Sequence, residues 1–337
     1  NGRTSVVRKG VWRGIEVAVK QIVVSGSEEA RQRLRNLLVE EAGRLSRLSH
    51  PNVVRLYGVL DSPATGDVGL VVELAAGGTL ADMLADSAAL QRVPWLSRLR
   101  LAEELAEALA FVHGRGVVHR DLNPANVLLD GDGHVLLSDF GFSEKTMSCI
   151  TLSSLGPVQG YAPATYIAPE CSRVGAPPEA LRHRAVDVYA FGVLLWQLMR
   201  GQRPFSGVQQ DMIPEFVRQG YRPQLPTPEH NDPPGLPELI QRCWRDEAAA
   251  RPPMGQVVEE LQEMRRALPQ TPREPWELDQ SDLAGLAWQW DVEGAYRVAP
   301  LPSDHRLYKE VEAMLRGDSC LLTIDSIELI KCPLVEA

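Results

Sequence analysis

The segment VVHRDLNPANVLL, residues 117–129, followed by SDFGF at 138–142, decides the fold of this chain. Two short apolar runs, Val127 to Leu129 and Val135 to Leu137, flank Asp130-Gly131-Asp132-Gly133, which is a hairpin turn signal. If the two runs pair, Asp121, Asn126 and Asp139 converge at one end of the ribbon. Asparagine and aspartate oxygens suit Mg²⁺, which takes few protein ligands and keeps positions for phosphate oxygens. The remaining carboxylate can orient a hydroxyl nucleophile as general base. The Asp-Gly-Asp-Gly turn is not followed by the ligand pattern or terminal glutamate of a calcium loop.

N-terminal to this segment the chain reads as strands with one inserted helix. Val17 to Val24 (VAVKQIVV) and Gly69 to Leu74 (GLVVEL) have the β-branched density of strands. Between them, residues 28–48 place Leu34, Leu37, Leu38, Leu45 and Leu48 on one helical stripe, with Ser27 as N-cap. Glu41 falls near the centre of that stripe, where a carboxylate is costly unless paired. Lys20, inside an apolar strand, is the available cation. The same residues also fit a surface glutamate and a lysine that snorkels from a strand end. Lysine is scarce here, five among 35 Lys plus Arg, so one in an apolar run is conspicuous.

C-terminal to about Leu80 the periodicity turns helical. Leu101, Leu105, Leu109 and Val112 mark an amphipathic helix ending at His113-Gly114, and Ala185 to Met199 is apolar nearly all round, as a core helix is. A Ser- and Thr-rich loop, residues 143–165, precedes that core helix. Residues 201–237 are proline-rich and read as mostly loop, helices resume over 238–268, and Pro269 to Pro275 reads as a linker to a C-terminal extension.

Composition narrows the classes. The 337 residues are 44% apolar and 23% charged, with a net charge of −9. That excludes a disordered chain and a surface built to coat nucleic acid. Val188 to Met199 is too short to cross a bilayer, the start carries no signal-peptide pattern, and five scattered cysteines form no C-x-x-C pair. An intracellular, cytoplasmic setting is the expectation.

Taken in order, these motifs resemble the protein kinase superfamily, and within it the tyrosine-kinase-like group. Val17-Ala18-Val19-Lys20, Glu41 ahead of His50-Pro51-Asn52, His119-Arg120-Asp121 through Asn126, Asp139-Phe140-Gly141, Ala168-Pro169-Glu170, Asp187 to Gly192, Cys243-Trp244 and Arg251-Pro252 stand at family spacing. The resemblance implies an α+β, two-lobed protein kinase fold: a small antiparallel β lobe with one regulatory helix, and a larger, mainly helical lobe. It implies a kinase domain over 1–268, with the small lobe at 1–75, a hinge at 76–79 and the large lobe at 80–268, followed by an extension at 269–337.

It also implies roles. ATP and Mg²⁺ are the expected cofactors, with Asn126 and Asp139 as metal ligands, Asp121 receiving the substrate hydroxyl's proton, and Lys20, held by Glu41, on the α- and β-phosphates. Gly2 belongs to the glycine-rich loop. Glu73 and Ala75, after Val72, are expected to offer backbone groups to the adenine edge. Val7, Ala18 and Leu128 are expected on its faces, although each also fits ordinary strand core. Glu170 and Arg251 are expected to pair, and Asp187 to brace the catalytic loop.

Departures from the family carry expectations of their own. The glycine-rich loop is incomplete, with Ser5 at its third glycine, and the fold is read as N-terminally truncated. Asn123 and Ala125 stand where serine/threonine and tyrosine kinases respectively carry a cation, which predicts slower chemistry. Pro163 resembles tyrosine kinases and Tyr166 serine/threonine kinases. Partners are expected to be protein substrates, with an upstream kinase or autophosphorylation acting on Ser143, Thr146, Ser148, Thr151, Ser153, Ser154 or Tyr161 opposite Arg120. A second reading keeps the fold as a pseudokinase scaffold. The extension is expected to place an ordinary helix and strand on the large lobe.

Overall fold

The computed structural model describes residues 4–23, 32, 36, 38–39, 42–43, 45–62, 67–139, 164–172, 183–225, 232–268, 323–324 and 328–329. Gly2, Glu41, Phe140, Gly141, Pro163 and the seven activation-segment hydroxyls lie outside them. The described elements separate into two units, one of residues 1–50, 54–75 and 287–337, the other of 51–53 and 76–286.

The first unit is a six-stranded sheet. Strands β1 (Thr4–Trp12), β2 (Ile15–Val23), β3 (Leu56–Ser62) and β4 (Asp67–Glu73) pair antiparallel in the order β3-β4-β2-β1. Period-two alternation divides β2 between two faces. Val17 and Val19 are fully buried and cluster with Trp12, Leu60 and Val71. On the opposite face Leu70, Val68 and Val59 pack against Leu38 and Ala42, two of the helical residues between 32 and 45, with Leu45 alongside.

The extension corrects one expectation. Its described strands, β7 (Thr323–Ile324) and β8 (Glu328–Leu329), join this sheet rather than the helical unit: β7 runs parallel to β3 and β8 antiparallel to β1. The reason is the open hydrogen-bonding edge that β1 and β3 present on either side of a four-stranded sheet.

The second unit is mainly helical. Its helices are α1 (Leu80–Ala85), α2 (Ser87–Arg92), α3 (Trp95–Gly114), α4 (Ala185–Arg200), α5 (Ile213–Arg218), α6 (Leu236–Cys243) and α7 (Met254–Ala267). All of α4 but Arg200 is buried, as its all-round apolar sequence requires. Gly192 allows α6 to approach it: a Cβ there would meet Cys243 Cβ at 2.7 Å. Within 201–237, read as mostly loop, α5 is a short helix that the sequence reading did not single out. Pro214 occupies its first turn, where the missing N–H costs nothing.

The hairpin β5 (Val127–Leu129) and β6 (Val135–Leu137) forms as its turn residues demand. Asp130 Oδ1 accepts the N–H groups of Asp132 (2.9 Å) and His134 (2.8 Å), and Gly133 takes φ +77°. Two further pieces of chain are tied to the hairpin. Asn52 accepts the Leu137 N–H at 2.8 Å and donates to the Val135 carbonyl at 3.0 Å. The Gly77 N–H reaches the Leu129 carbonyl and the Leu129 N–H reaches the Gly78 carbonyl, each at 2.9 Å. A Cβ on Gly77 would stand 2.3 Å from the Asp130 carbonyl oxygen, so only glycine fits that approach. Thr79 then caps α1 reciprocally with Asp82.

Candidate active site

Asp121, Asn126 and Asp139 lie around the β5–β6 hairpin, and hydrogen bonds explain how they are held. Asn126 ends a 3-10 turn, Pro124–Asn126, whose N-cap is Asn123. The Asn123 Oδ1 accepts the Ala125 N–H at 3.0 Å, while its Nδ2 donates to the Asp121 carbonyl at 3.0 Å and to Asp121 Oδ1 at 3.3 Å. Asn126 Nδ2 donates to the Asp121 carbonyl at 2.7 Å and to Oδ2 at 2.8 Å. Both oxygens of the Asp121 carboxylate are therefore oriented by amides. The same bonds determine which way the Asn126 amide faces, making its acceptor, Oδ1, the end not bound to Asp121.

The loop ahead of Asp121 hangs on one buried carboxylate. Asp187, near the start of α4, is 1% exposed; its Oδ2 accepts the His119 N–H and its Oδ1 the Arg120 N–H, at 2.8 and 2.7 Å. His113, at the end of α3, adds its Nε2 to Oδ2 at 2.8 Å. Burial opposes the Asp187 charge, but the His113 hydrogen bond and charge, with His119 and the Arg120 N–H, outweigh it and hold the carboxyl below its ordinary value.

His119 connects this loop to β6. The Asp121 N–H donates to its Nδ1 at 3.3 Å, so Nε2 carries the proton and donates to the Ser138 carbonyl at 2.7 Å. Ser138 in turn gives both its N–H and its hydroxyl to the Asn126 carbonyl, at 2.9 and 3.0 Å. Arg120 (φ 71°) and Asp139 (φ 61°) hold left-handed backbone that non-glycine residues seldom adopt. Such conformations persist only where surrounding bonds over-determine them, and they concentrate at functional sites.

Within the sheet unit, Lys20 sits on β2 directly opposite Val7 on β1 and Leu70 on β4. Residues opposite one another share a face. Lys20 therefore lies on the face packed by Leu38 and Ala42; Glu41, its expected partner, is outside the described residues. Ala18 is buried on the same face, whereas Val7 is 64% exposed. The Glu73 N–H is engaged by the Arg55 carbonyl at 2.9 Å, and Glu73 Oε2 accepts the Arg55 N–H at 3.2 Å. Leu128 is half-buried in the helical unit, and Ala75 ends the sheet unit's second stretch of chain.

Farther into the helical unit, Arg251 and Glu170 form a two-pronged ion pair at 2.7 and 2.8 Å. The arginine's side chain is wholly buried and also donates to the carbonyls of Arg245, Ala185 and Asp246. Residues 1–261 match the family described as protein tyrosine and serine/threonine kinase. The chain belongs to that family. It is 31% identical over 265 residues to a probable serine/threonine-protein kinase of Dictyostelium discoideum, covering 78% of this chain and 27% of that protein. Serine/threonine-protein kinase 12 of Arabidopsis thaliana is 29% identical over 265 residues, covering 75% and 52%. The serine/threonine/tyrosine-protein kinase HT1 of the same plant is 31% identical over 268 residues, covering 78% and 64%. The chain thus spans about a quarter to two-thirds of the length of these relatives.

Set against the kinase family, two residues acquire roles that sequence reasoning missed. Asn123, read as a lost cation, is the cap that builds the turn; Asn-Pro at a helix start is the signal that points to it. His113, read as a helix stop, is the partner of Asp187. The residues expected to hold a divalent cation offer one carboxylate and one amide oxygen, those of Asp139 and Asn126. Among the described residues no group of three or more His, Cys, Asp and Glu gathers as a metal cage. A set this small suits an ion that shares its ligands with phosphate. No described helix is long and apolar enough to cross a membrane.

Proposed function

We propose that this chain transfers the γ-phosphoryl group of ATP to serine or threonine hydroxyls of protein substrates, as a kinase domain of the tyrosine-kinase-like group spanning 1–268. The observation that carries the reading is the Asp121 carboxylate, gripped by Asn126 and Asn123 one hairpin away from the strained Asp139. The names of the relatives support serine and threonine as acceptors.

In this reading Asp121 receives the proton of the hydroxyl whose oxygen attacks the γ-phosphorus, and the bond to the departing ADP oxygen breaks with its electron pair. Asn126 Oδ1 and Asp139 would hold Mg²⁺, which would supply charge neutralisation to the phosphates. Lys20 is the cation for the α- and β-phosphates, with Glu41 its counter-charge and Gly2 a member of the glycine-rich loop. With its N–H engaged, Glu73 has only its carbonyl to offer the adenine edge, beside Ala75; Val7, Ala18 and Leu128 are the apolar contacts. Asn123 holds Asp121 from the position where serine/threonine kinases carry a cation, so positioning and metal charge carry the catalysis.

The deciding experiment follows labelled ATP into the chain and into a generic protein substrate, with phosphoamino-acid analysis. Phosphoserine and phosphothreonine are expected, falling at least about 100-fold in Asp139→Asn and Asp121→Asn. Equal incorporation by wild type and both variants overturns the assignment. Phosphotyrosine alone overturns the acceptor class.

A further inference from the structure

The helical unit carries two adjoining cavities, of about 440 and 470 Å³, that share Arg200 and Gln202 in their walls. Arg92 and Arg98 line the first and Arg203 and Arg222 the second, with Asp232 as the single acidic lining residue. On a chain of net charge −9 this is a concentrated basic surface. The arginines are not equivalent. Arg98 is fixed in the wall by the carbonyls of Val93, Leu90, Leu198 and Met199 and lies over the Trp95 ring. Arg222 is held by Asp246 and by the Trp244 carbonyl. The Nε of Arg200, between the cavities, is buried with no hydrogen-bond partner among the described residues. A buried donor left open in this way calls for an acceptor.

The chain itself leads there. Helix α7 lies antiparallel to α3: Gln262 donates to Glu107 at 3.3 Å, and Arg265, one turn on, pairs with Glu103 at 2.6 Å. That register carries the chain leaving α7 toward Arg98 and Trp95. Met264 Cε is 3.3 Å from the place of a Cβ on Gly235, three residues past Asp232. The sequence that follows holds Glu274, Trp276, Glu277, Asp279 and Asp282, with no lysine or arginine from 274 to 296. Five residues separate Leu268 from Glu274, a reach of about 17 Å extended, against about 12 Å of helix from Glu103 to Trp95.

We propose that residues 274–282 of this chain seat in the arginine-lined cavities, with carboxylates on Arg200 and Arg203 and Trp276 against the wall of Trp95 and Val93. A tethered segment faces its site at millimolar effective concentration, so individually weak, salt-sensitive contacts suffice. The contact is independent of the phosphoryl-transfer reading.

Hydrogen exchange of the full chain, read peptide by peptide, tests it. Exchange over 276–282 is expected to be about tenfold slower in wild type than in Arg200→Glu/Arg203→Glu, to speed up at high salt, and to slow again when Glu277→Arg/Asp279→Arg is added to that variant. Arg203 is exposed, so Arg203→Glu alone serves should the double variant fail to fold, and is expected to lose part of the protection. Equal exchange of 276–282 in wild type and variants overturns the proposal. So does protection of residues 196–206 by an added synthetic peptide of sequence 274–282 when the chain's own segment is unprotected, because the surface then serves a partner in trans.

Discussion

The carboxylate of Asp187 and the imidazole of His113 meet at 2.8 Å inside the helical unit, joining the start of α4 to the end of α3. With the His119 and Arg120 amides on the same carboxylate, the loop ahead of Asp121 is fastened to the core at a point that water does not reach. Asp187→Asn keeps the shape but presents an amide donor to N–H groups that need acceptors. Breaking a buried charge from its partners typically costs about 3–5 kcal/mol, and denaturant titration is expected to show a loss of that order.

The same group gives an acid dependence whose sign is determined. The native Asp187 carboxyl lies below its ordinary value, because His113 and the loop amides outweigh the burial that opposes its charge. Its contribution is complete above the unfolded carboxyl value of about 4 and is lost as pH falls from there through the lower native value. Wild-type stability is expected to drop on acidification below about pH 4, more steeply than that of Asp187→Asn. Parallel pH profiles for the two proteins would refute this assignment.

Asn123 allows capping and orientation to be separated. Asn123→Ala removes both, and loss of the cap is expected to cost about 1 kcal/mol, or about 2–4 °C in melting temperature for a domain of this size. Asn123→Asp retains the cap acceptor for the Ala125 N–H but sets a second carboxylate where the Asp121 Oδ1 contact of 3.3 Å now lies. It is expected to melt close to wild type while turning over at least about tenfold more slowly. A variant that loses neither stability nor turnover would show that Asn123 does not hold Asp121.

Much of this was readable before any coordinates. The hairpin was legible because two apolar triplets flank a turn whose residues supply their own hydrogen bonds, and α4 because nothing along it is made for water. Helix α5 was not, since proline in a first turn looks like proline in a loop. The tail strands were not either: two-residue strands take their order from the sheet edges they join, which no local pattern encodes. At the site, the acidic and amide residues announced themselves by type. Asn123 and His113 were obscured because their work depends on partners 2 and 74 residues away.

The thiols offer a test outside the site. Burial raises the Cys171 thiol to about 12, with the Glu170 charge adding to it, and raises Cys243 to about 12, with the Glu260 charge adding to it. At pH 8 each is thiolate in only about one molecule in ten thousand, and the thiolate is the reactive form. Iodoacetamide is therefore expected to leave both unmodified in the native protein and to label both after denaturation, read by peptide mass. Native labelling of Cys243 would contradict the packing of α6 on α4.

The Glu170 and Arg251 pair makes the last prediction, because it is an ion pair with no room for substitution. The guanidinium is wholly buried, and besides its two bonds to Glu170 it donates to the carbonyls of Ala185, Arg245 and Asp246 while lying over the Tyr189 ring. Glu170→Ala leaves that charge without its counter-ion and is expected to cost about 3–5 kcal/mol. Arg251→Lys keeps the charge but cannot reproduce a planar fork with several simultaneous acceptors, so it should be nearly as damaging. Glu170→Ala/Arg251→Met removes both charges, and is expected to recover part of the loss by ending the desolvated charge, short of wild type because three carbonyls stay without a donor. A double-mutant cycle by denaturant unfolding reads the coupling directly. A coupling near zero would place the pair among surface ion pairs and deny it a part in holding the Ala168-Pro169-Glu170 segment to the core.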